Sequence, residues 1–154
     1  MKDQFNEYIN KVFLPVMAGA QEAVQELNYS LQPDVEMFVV SRPFLSLDGF
    51  VHGADRKNDW IRKNFPEIKP MNIAVVGNKM PCFAEALMVI EDDLRTLTDT
   101  RDAYGNGKVL VCFTRPWNDS EEDRELKTEN GVVNLQKWGD LITKTKDLRG
   151  DMYV

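Results

Sequence analysis

The sequence predicts a small three-layer α/β domain with a short, mostly parallel sheet, formed by residues 1–154 as a single domain. Three short apolar runs alternate with helical patterns along the chain. Apolar strands that are separated by helices favour parallel pairing, with both faces of the sheet covered. A hydrophobic fraction of 43% in 154 residues is enough to build the core of one domain. We therefore expect a β-α-β-α-β order, flanked by a long N-terminal helix and a C-terminal helix.

The N-terminal helix is predicted over residues 3–31. Its apolar residues recur at three- and four-residue steps: Phe5, Ile9, Val12, Phe13, Val16, Met17, Ala20, Val24, Leu27 and Leu31. That spacing gives a helix one apolar face. Pro15 is expected to kink or split the helix, because proline removes a backbone donor. The apolar face could pack into the core, bind a protein partner or form a homodimer, and the pattern leaves these alternatives open.

Strands are predicted near residues 35–41, 72–76 and 108–114, where β-branched and other apolar side chains form short runs. A short helix is expected near Asp59–Asn64, because the following Phe65-Pro66 pair disfavours further helix.

The clearest helix is predicted from Pro81, at its first position, to about residue 99. Its apolar stripe comprises Phe83, Leu87, Ile90, Leu94 and Leu97. Residues 118–130 are polar and are expected to form a solvated loop or helix surface. A last helix is predicted after Asn134 as its cap. An added antiparallel strand is expected around Val132-Val133 or at residues 152–154.

Composition excludes several classes of function. Nineteen basic and 25 acidic residues give a net charge of −6, which argues against general nucleic-acid binding. One histidine and two cysteines exclude multi-histidine and four-cysteine metal sites, so we predict no metal site. The sequence shows neither a signal-peptide pattern nor an apolar run of membrane-spanning length, and so predicts a cytoplasmic protein without a membrane role. In that compartment Cys82 and Cys112 are expected to be free thiols.

Basic and aromatic side chains follow the predicted strands. Ser41-Arg42-Pro43-Phe44 follows the first strand, Gly77-Asn78-Lys79 the second, and Thr114-Arg115-Pro116-Trp117 the third. In one parallel sheet these three ends share the edge where open α/β sheets bind ligands. The expected ligand-binding residues are Arg42, Phe44, Asn78, Lys79, Arg115 and Trp117.

This set of side chains suits an anionic, nucleotide-like small molecule. Guanidinium groups and the helix N-terminus predicted at Pro81 favour anions, and aromatic rings offer a flat face to a base. No phosphate-loop sequence is present. The alternative is that the arginines pair with Asp48, Asp55 or Asp119 and have no ligand.

Enzymatic chemistry has weaker candidates. Cys82, at the second position of the predicted helix, would be a nucleophile, with His52 as its base and Asp48 orienting the imidazole, in a hydrolase or transferase. The Glu125-Leu126-Lys127 spacing, with Asp119, is typical of a metal-dependent nuclease, but such sites sit on apolar strands and this segment is too polar.

One stretch resembles a known family. Ser46-Leu47-Asp48-Gly49-Phe50, followed by Asp55 and Asp59-Trp60, is similar to the opening motif of the reductase domain of riboflavin biosynthesis. The resemblance implies a dihydrofolate-reductase fold and NADPH-dependent reduction. The long N-terminal helix and the missing double-glycine cofactor turn depart from that family.

The sequence as a whole favours a small accessory or regulatory protein that acts by binding, with no cofactor predicted. It would bind an anionic small molecule at the strand ends, or a protein partner through the N-terminal helix. The alternative is a small enzyme that acts on a nucleotide-like substrate at the same edge.

Overall fold

The computed structural model describes residues 17–31, 36–43 and 50–143, with the backbone alone given for Leu31 and for residues 50–52. The chain divides into two compact units at the peptide bond between Lys79 and Met80, and each unit is described by itself. That residues 1–154 form a single domain stays a prediction.

The described residues of the first unit form two α-helices and a two-stranded sheet. Helix α1 is Ala20–Leu31, strand β1 is Val39–Ser41, helix α2 is Phe50–Asn64 and strand β2 is Ile73–Val75. β1 and β2 pair in parallel, and α2 packs on β2. All residues of both strands are half-buried, so this sheet has no fully buried strand.

The described part of the predicted N-terminal helix turns its apolar face inward. Ala20, Ala23 and Leu27 of α1 are almost fully buried, whereas Tyr29 is exposed. This packing supports the core interpretation for α1. Residues 3–16, including Pro15, lie outside the described residues.

The second unit alternates strands and helices. Strand β3 is Met88–Glu91, helix α3 is Leu94–Tyr104, strand β4 is Val109–Phe113, helix α4 is Glu121–Glu129 and strand β5 is Val133–Leu135. The three strands form a parallel sheet in the order β3-β4-β5. This confirms the α/β class and the parallel pairing that the sequence predicts.

The central strand β4 forms the core of the second unit. Leu110 and Cys112 have no exposed surface, Val111 is 1% exposed, and Phe113 packs on Trp138 with ring centroids 5.0 Å apart. Trp138 begins a helical segment over residues 138–143, at the end of the described range.

The expectation of a single sheet is wrong for the described residues. The predicted strands at 35–41 and 72–76 correspond to β1 and β2, whereas the strand at 108–114 corresponds to β4 in the other unit. The sequence pattern missed β3, the strand that completes the pairing of β4 on one side.

The helix predicted from Pro81 to residue 99 is also wrong. Pro81 lies in a four-residue 3-10 helix, Met80–Phe83, and the apolar run Met88–Ile90 belongs to β3. The α-helix begins at Leu94, after Asp92-Asp93. Residues 83, 87, 90, 94 and 97 fit a helical period by coincidence, because the first three and the last two belong to different segments.

Three smaller boundaries differ from the predictions. The helix expected near Asp59–Asn64 ends there but begins at Phe50. Val133 pairs in a parallel strand, not an antiparallel one, because α4 carries the chain back across the sheet. Asn134 lies inside β5 and caps no helix. Residues 152–154 lie outside the described residues.

None of the described helices is long and apolar enough to cross a membrane.

Candidate functional site

Asn118 anchors the loop that follows β4, here called the 114–119 loop. Asn118 is buried, with only 3% of its surface exposed. Its Nδ2 donates to the carbonyl oxygens of Asp92, at 2.7 Å, and Phe113, at 3.0 Å. Its Oδ1 accepts from the backbone N–H of Arg115 at 2.8 Å. One amide therefore ties the loop to the carboxyl ends of β3 and β4.

Lys127 contacts Asn118 through hydrogen bonds from its ammonium group. Lys127 lies on α4 and is 1% exposed. Its Nζ donates to the backbone oxygen of Asn118 at 2.5 Å and approaches the Oδ1 at 3.4 Å. A buried ammonium group needs such acceptors, because burial without hydrogen bonds would be costly. The sequence gives Lys127 as part of a polar segment, and the structure makes it part of the interior.

Cys112 of β4 lies beside the same ammonium group. Burial raises the pKa of the Cys112 thiol, and the positive charge and hydrogen bond of Lys127 offset this only in part. With its side chain fully buried, Cys112 is a packed neutral thiol with no access to a substrate.

The 114–119 loop carries a half-buried arginine and an exposed tryptophan. The Arg115 guanidinium carbon lies 4.1 Å from the centroid of the Phe113 ring. Trp117 is 69% exposed, although tryptophan usually buries most of its surface. Both residues follow β4, the central strand, at the carboxyl edge of the parallel sheet where open α/β folds bind ligands.

The acidic side chains at the end of this loop and at the start of α4 have their own partners. Asp119 accepts two hydrogen bonds from Arg124, at 3.0 and 3.2 Å, which hold the pKa of Asp119 below its usual range. Asp123 accepts from the hydroxyl and backbone N–H of Ser120, at 2.7 and 3.0 Å, which lowers its pKa too. Together with the bond from the Asp123 backbone N–H to the Ser120 hydroxyl, at 3.1 Å, the Ser120–Asp123 contacts form the capping box of α4.

The other predicted ligand residues belong to the first unit. Arg42 is exposed and directly follows β1, and Asn78 and Lys79 follow β2. Because β1 and β2 are parallel, these residues follow the same end of the two-stranded sheet. Phe44 lies outside the described residues. The structure thus places Arg115 and Trp117 in one loop, while their combination with Arg42 and Lys79 stays a prediction.

The candidates for enzymatic chemistry are not assembled by the described residues. Cys82 is exposed, but it lies in the four-residue 3-10 helix and not at the start of an α-helix. His52 is in α2, with its side chain outside the description, and Asp48 lies outside it altogether. Glu125 is exposed while Lys127 is buried against Asn118, so these two side chains do not face a common metal site.

Sequence reasoning missed Asn118, and it considered Lys127 only as part of the nuclease-like Glu125-Leu126-Lys127 spacing and not as a buried residue. Asparagine after Pro116-Trp117 is a turn signal, since its side chain readily bonds nearby backbone groups. That signal could have identified Asn118. A lysine in a polar helix normally lies at the surface, so the sequence gives no sign that Lys127 is buried.

Comparison with known proteins adds no assignment: no family model matches the chain, and neither the curated proteins nor the solved structures contain a significant match.

Proposed function

We propose that the protein acts by binding an anionic, nucleotide-like small molecule at the 114–119 loop. The observation that carries the proposal is the exposed ring of Trp117, two residues after Arg115 in sequence, on a loop held by a buried asparagine. Any nucleotide base can stack on the face of a tryptophan ring, and a guanidinium group binds phosphate or carboxylate.

The loop is suited to this role because it is already ordered. Asn118 fixes the backbone on both sides of Trp117, through Arg115 and through the ends of β3 and β4. Binding to an ordered loop avoids the conformational entropy that ordering would cost.

The net charge of the chain agrees with a small ligand in preference to a polymer. With a charge of −6, the surface repels an extended polyanion. A single guanidinium group beside an aromatic ring is enough for one phosphate or carboxylate group.

A thermal-shift screen against nucleoside phosphates, nicotinamide coenzymes and phosphosugars tests the proposal. A ligand at 100 times its Kd stabilises the folded protein by about 2.7 kcal/mol and therefore raises its Tm. Trp117→Ala is then expected to weaken binding of the best compound by about tenfold, because base stacking is worth about 1–3 kcal/mol.

Arg115→Ala tests the guanidinium contact, and Arg95→Ala is its matched control. Arg95 is an exposed arginine on α3 of the same unit. We expect Arg115→Ala to weaken binding and Arg95→Ala to leave it unchanged. The proposal is wrong if no compound raises Tm, or if both arginine variants and Trp117→Ala bind as the parent protein does.

A further inference from the structure

We propose that Lys127 is a positioning residue, which acts through Asn118 to hold Trp117 and Arg115 in their binding orientation. Its importance for ligand binding rests on the proposed function above. The positioning itself concerns the conformation of the 114–119 loop and can be measured without a ligand.

Several elements of the second unit meet at Asn118. Its amide joins the end of β3, the end of β4 and the start of the loop, and its backbone oxygen receives the ammonium group of Lys127. Lys127 is therefore the buried contact that connects helix α4 to this junction. If it is removed, the amide keeps its strand partners, but α4 keeps only the exposed contact of Arg124 with Asp119 among its side-chain bonds to the loop given above.

The chemistry of the contact favours a lysine. The backbone oxygen of Asn118 faces a site that water does not reach, since Asn118 is 3% and Lys127 1% exposed. An ammonium group has three donors, and here it reaches both the backbone oxygen and the Oδ1 of Asn118. An apolar side chain of similar length would leave that oxygen buried without its donor, and the loop would have to move to hydrate it.

Lys108 provides a matched comparison within the same unit. Its Nζ donates to two backbone oxygens, those of Ala84 at 2.6 Å and Ala86 at 2.8 Å. It also lies 5.1 Å from the ring centroid of Tyr104. Lys108 thus makes the same type of contact as Lys127, but it supports residues 84–86 and not the 114–119 loop.

The experiment compares Lys127→Met with Lys108→Met in full-length protein labelled with 5-fluorotryptophan. The chain has three tryptophans, and Trp117→Phe assigns the resonance of Trp117 in the fluorine NMR spectrum. We expect Lys127→Met to shift or split the Trp117 resonance while that of Trp60 stays in place. Lys108→Met should leave Trp117 unchanged. If Lys127→Met leaves the Trp117 resonance in place, or Lys108→Met moves it equally, the positioning role is wrong.

A measurement on the unaltered protein covers the case in which Lys127→Met does not fold. The ammonium protons of Lys127 should exchange with water slowly enough to give a lysine side-chain signal in nitrogen-detected NMR, which Lys127→Arg removes. Fast exchange of every lysine ammonium group would contradict the buried contact and overturn the proposal.

The ligand arm separates this proposal from the proposed function. With ADP as the probe, Lys127→Met should bind about tenfold more weakly than Lys108→Met, because a disordered loop must be ordered on binding. A Trp117 resonance that moves without any ADP binding in the parent protein would contradict ADP binding as the function but support the positioning role. If Lys127→Met moves the Trp117 resonance but binds ADP as tightly as Lys108→Met, the positioning of the loop by Lys127 does not matter for ADP binding.

Discussion

The two units use the same kind of strand in different surroundings. β1 and β2 of the first unit are half-buried throughout, whereas four of the five residues of β4 are buried. β4 has a partner strand on each side, whereas among the described residues β1 pairs with β2 alone, and β1 includes the polar Ser41. The deeper burial of β4 therefore goes with a second neighbouring strand and a fully apolar run.

The contacts of two lysines, Lys69 and Lys127, differ between the units in the same direction. In the first unit Lys69 pairs with Glu36 at the surface, where both side chains are at least half exposed. In the second unit Lys127 is buried and bonds to Asn118. Stability should therefore be concentrated in the second unit, and the following substitutions test that expectation.

Leu110→Ala is expected to have the largest effect. Leu110 has no exposed surface, so truncation removes buried apolar area and leaves a cavity. Substitutions of this kind cost about 2–5 kcal/mol. Val40→Ala in half-buried β1 should cost about 1 kcal/mol or less. Urea denaturation of both variants measures the difference, and equal losses would contradict the contrast between the units.

Asn118→Ala should have the second largest effect. We expect it to lower the free energy of unfolding by about 2–3 kcal/mol, because several buried backbone groups lose their partner at once. Asn64→Ala is the control in the first unit. Asn64 donates one side-chain hydrogen bond, to the backbone oxygen of Trp60 at 2.7 Å, and is half-buried. Its loss should be clearly smaller by the same denaturation assay. A larger loss for Asn64→Ala would show that Asn118 is not the main polar junction.

Ser120→Ala removes the cap of α4 and should cost about 1 kcal/mol at neutral pH. The folded pKa of Asp123 is lowered by its bonds to Ser120, so this contribution is present above the ordinary carboxyl range. It is lost as the pH falls through the lowered pKa. The stability difference between Ser120→Ala and the parent protein should therefore narrow on acidification. A difference that stays constant down to the acid transition would count against the Asp123 contact.

Glu36→Gln should have the smallest effect. It removes the surface ion pair with Lys69, and exposed pairs contribute about 0–1 kcal/mol. Added salt should reduce the effect further, because exposed charges are screened. A loss comparable to that of Ser120→Ala would mean that the first unit depends on this pair more than its exposure suggests.

Periodicity and turn chemistry predicted much of this architecture. β4 and the end of α2 at Asn64 follow from an apolar run and from Phe65-Pro66, which are local signals. β3 was missed because Phe83, Leu87 and Ile90 happen to fit the period of the helix that starts at Leu94. The division into two sheets is decided by which strands pair, and the apolar runs alone do not encode pairing.

The candidate site shows the same limit. Arg115 and Trp117 were recognised because they follow a strand that could be identified from its composition. Asn118 was not predicted, and Lys127 was considered only for the nuclease spacing, because the buried contacts of both residues depend on the tertiary structure. A buried lysine in a polar helix gives no local pattern, so only the tertiary structure identifies it.

The side-chain hydrogen bonds that hold residues 80–86, at the start of the second unit, affect how the unit would respond to force. The Tyr104 hydroxyl donates to the backbone oxygen of Met80 at 2.8 Å, and Lys108 holds the oxygens of Ala84 and Ala86. A force applied along the chain from Lys79 would reach these bonds before it reached β3. The side-chain bonds of Tyr104 and Lys108 would then bear the load first, and the edge strand would be shielded from being peeled off the sheet.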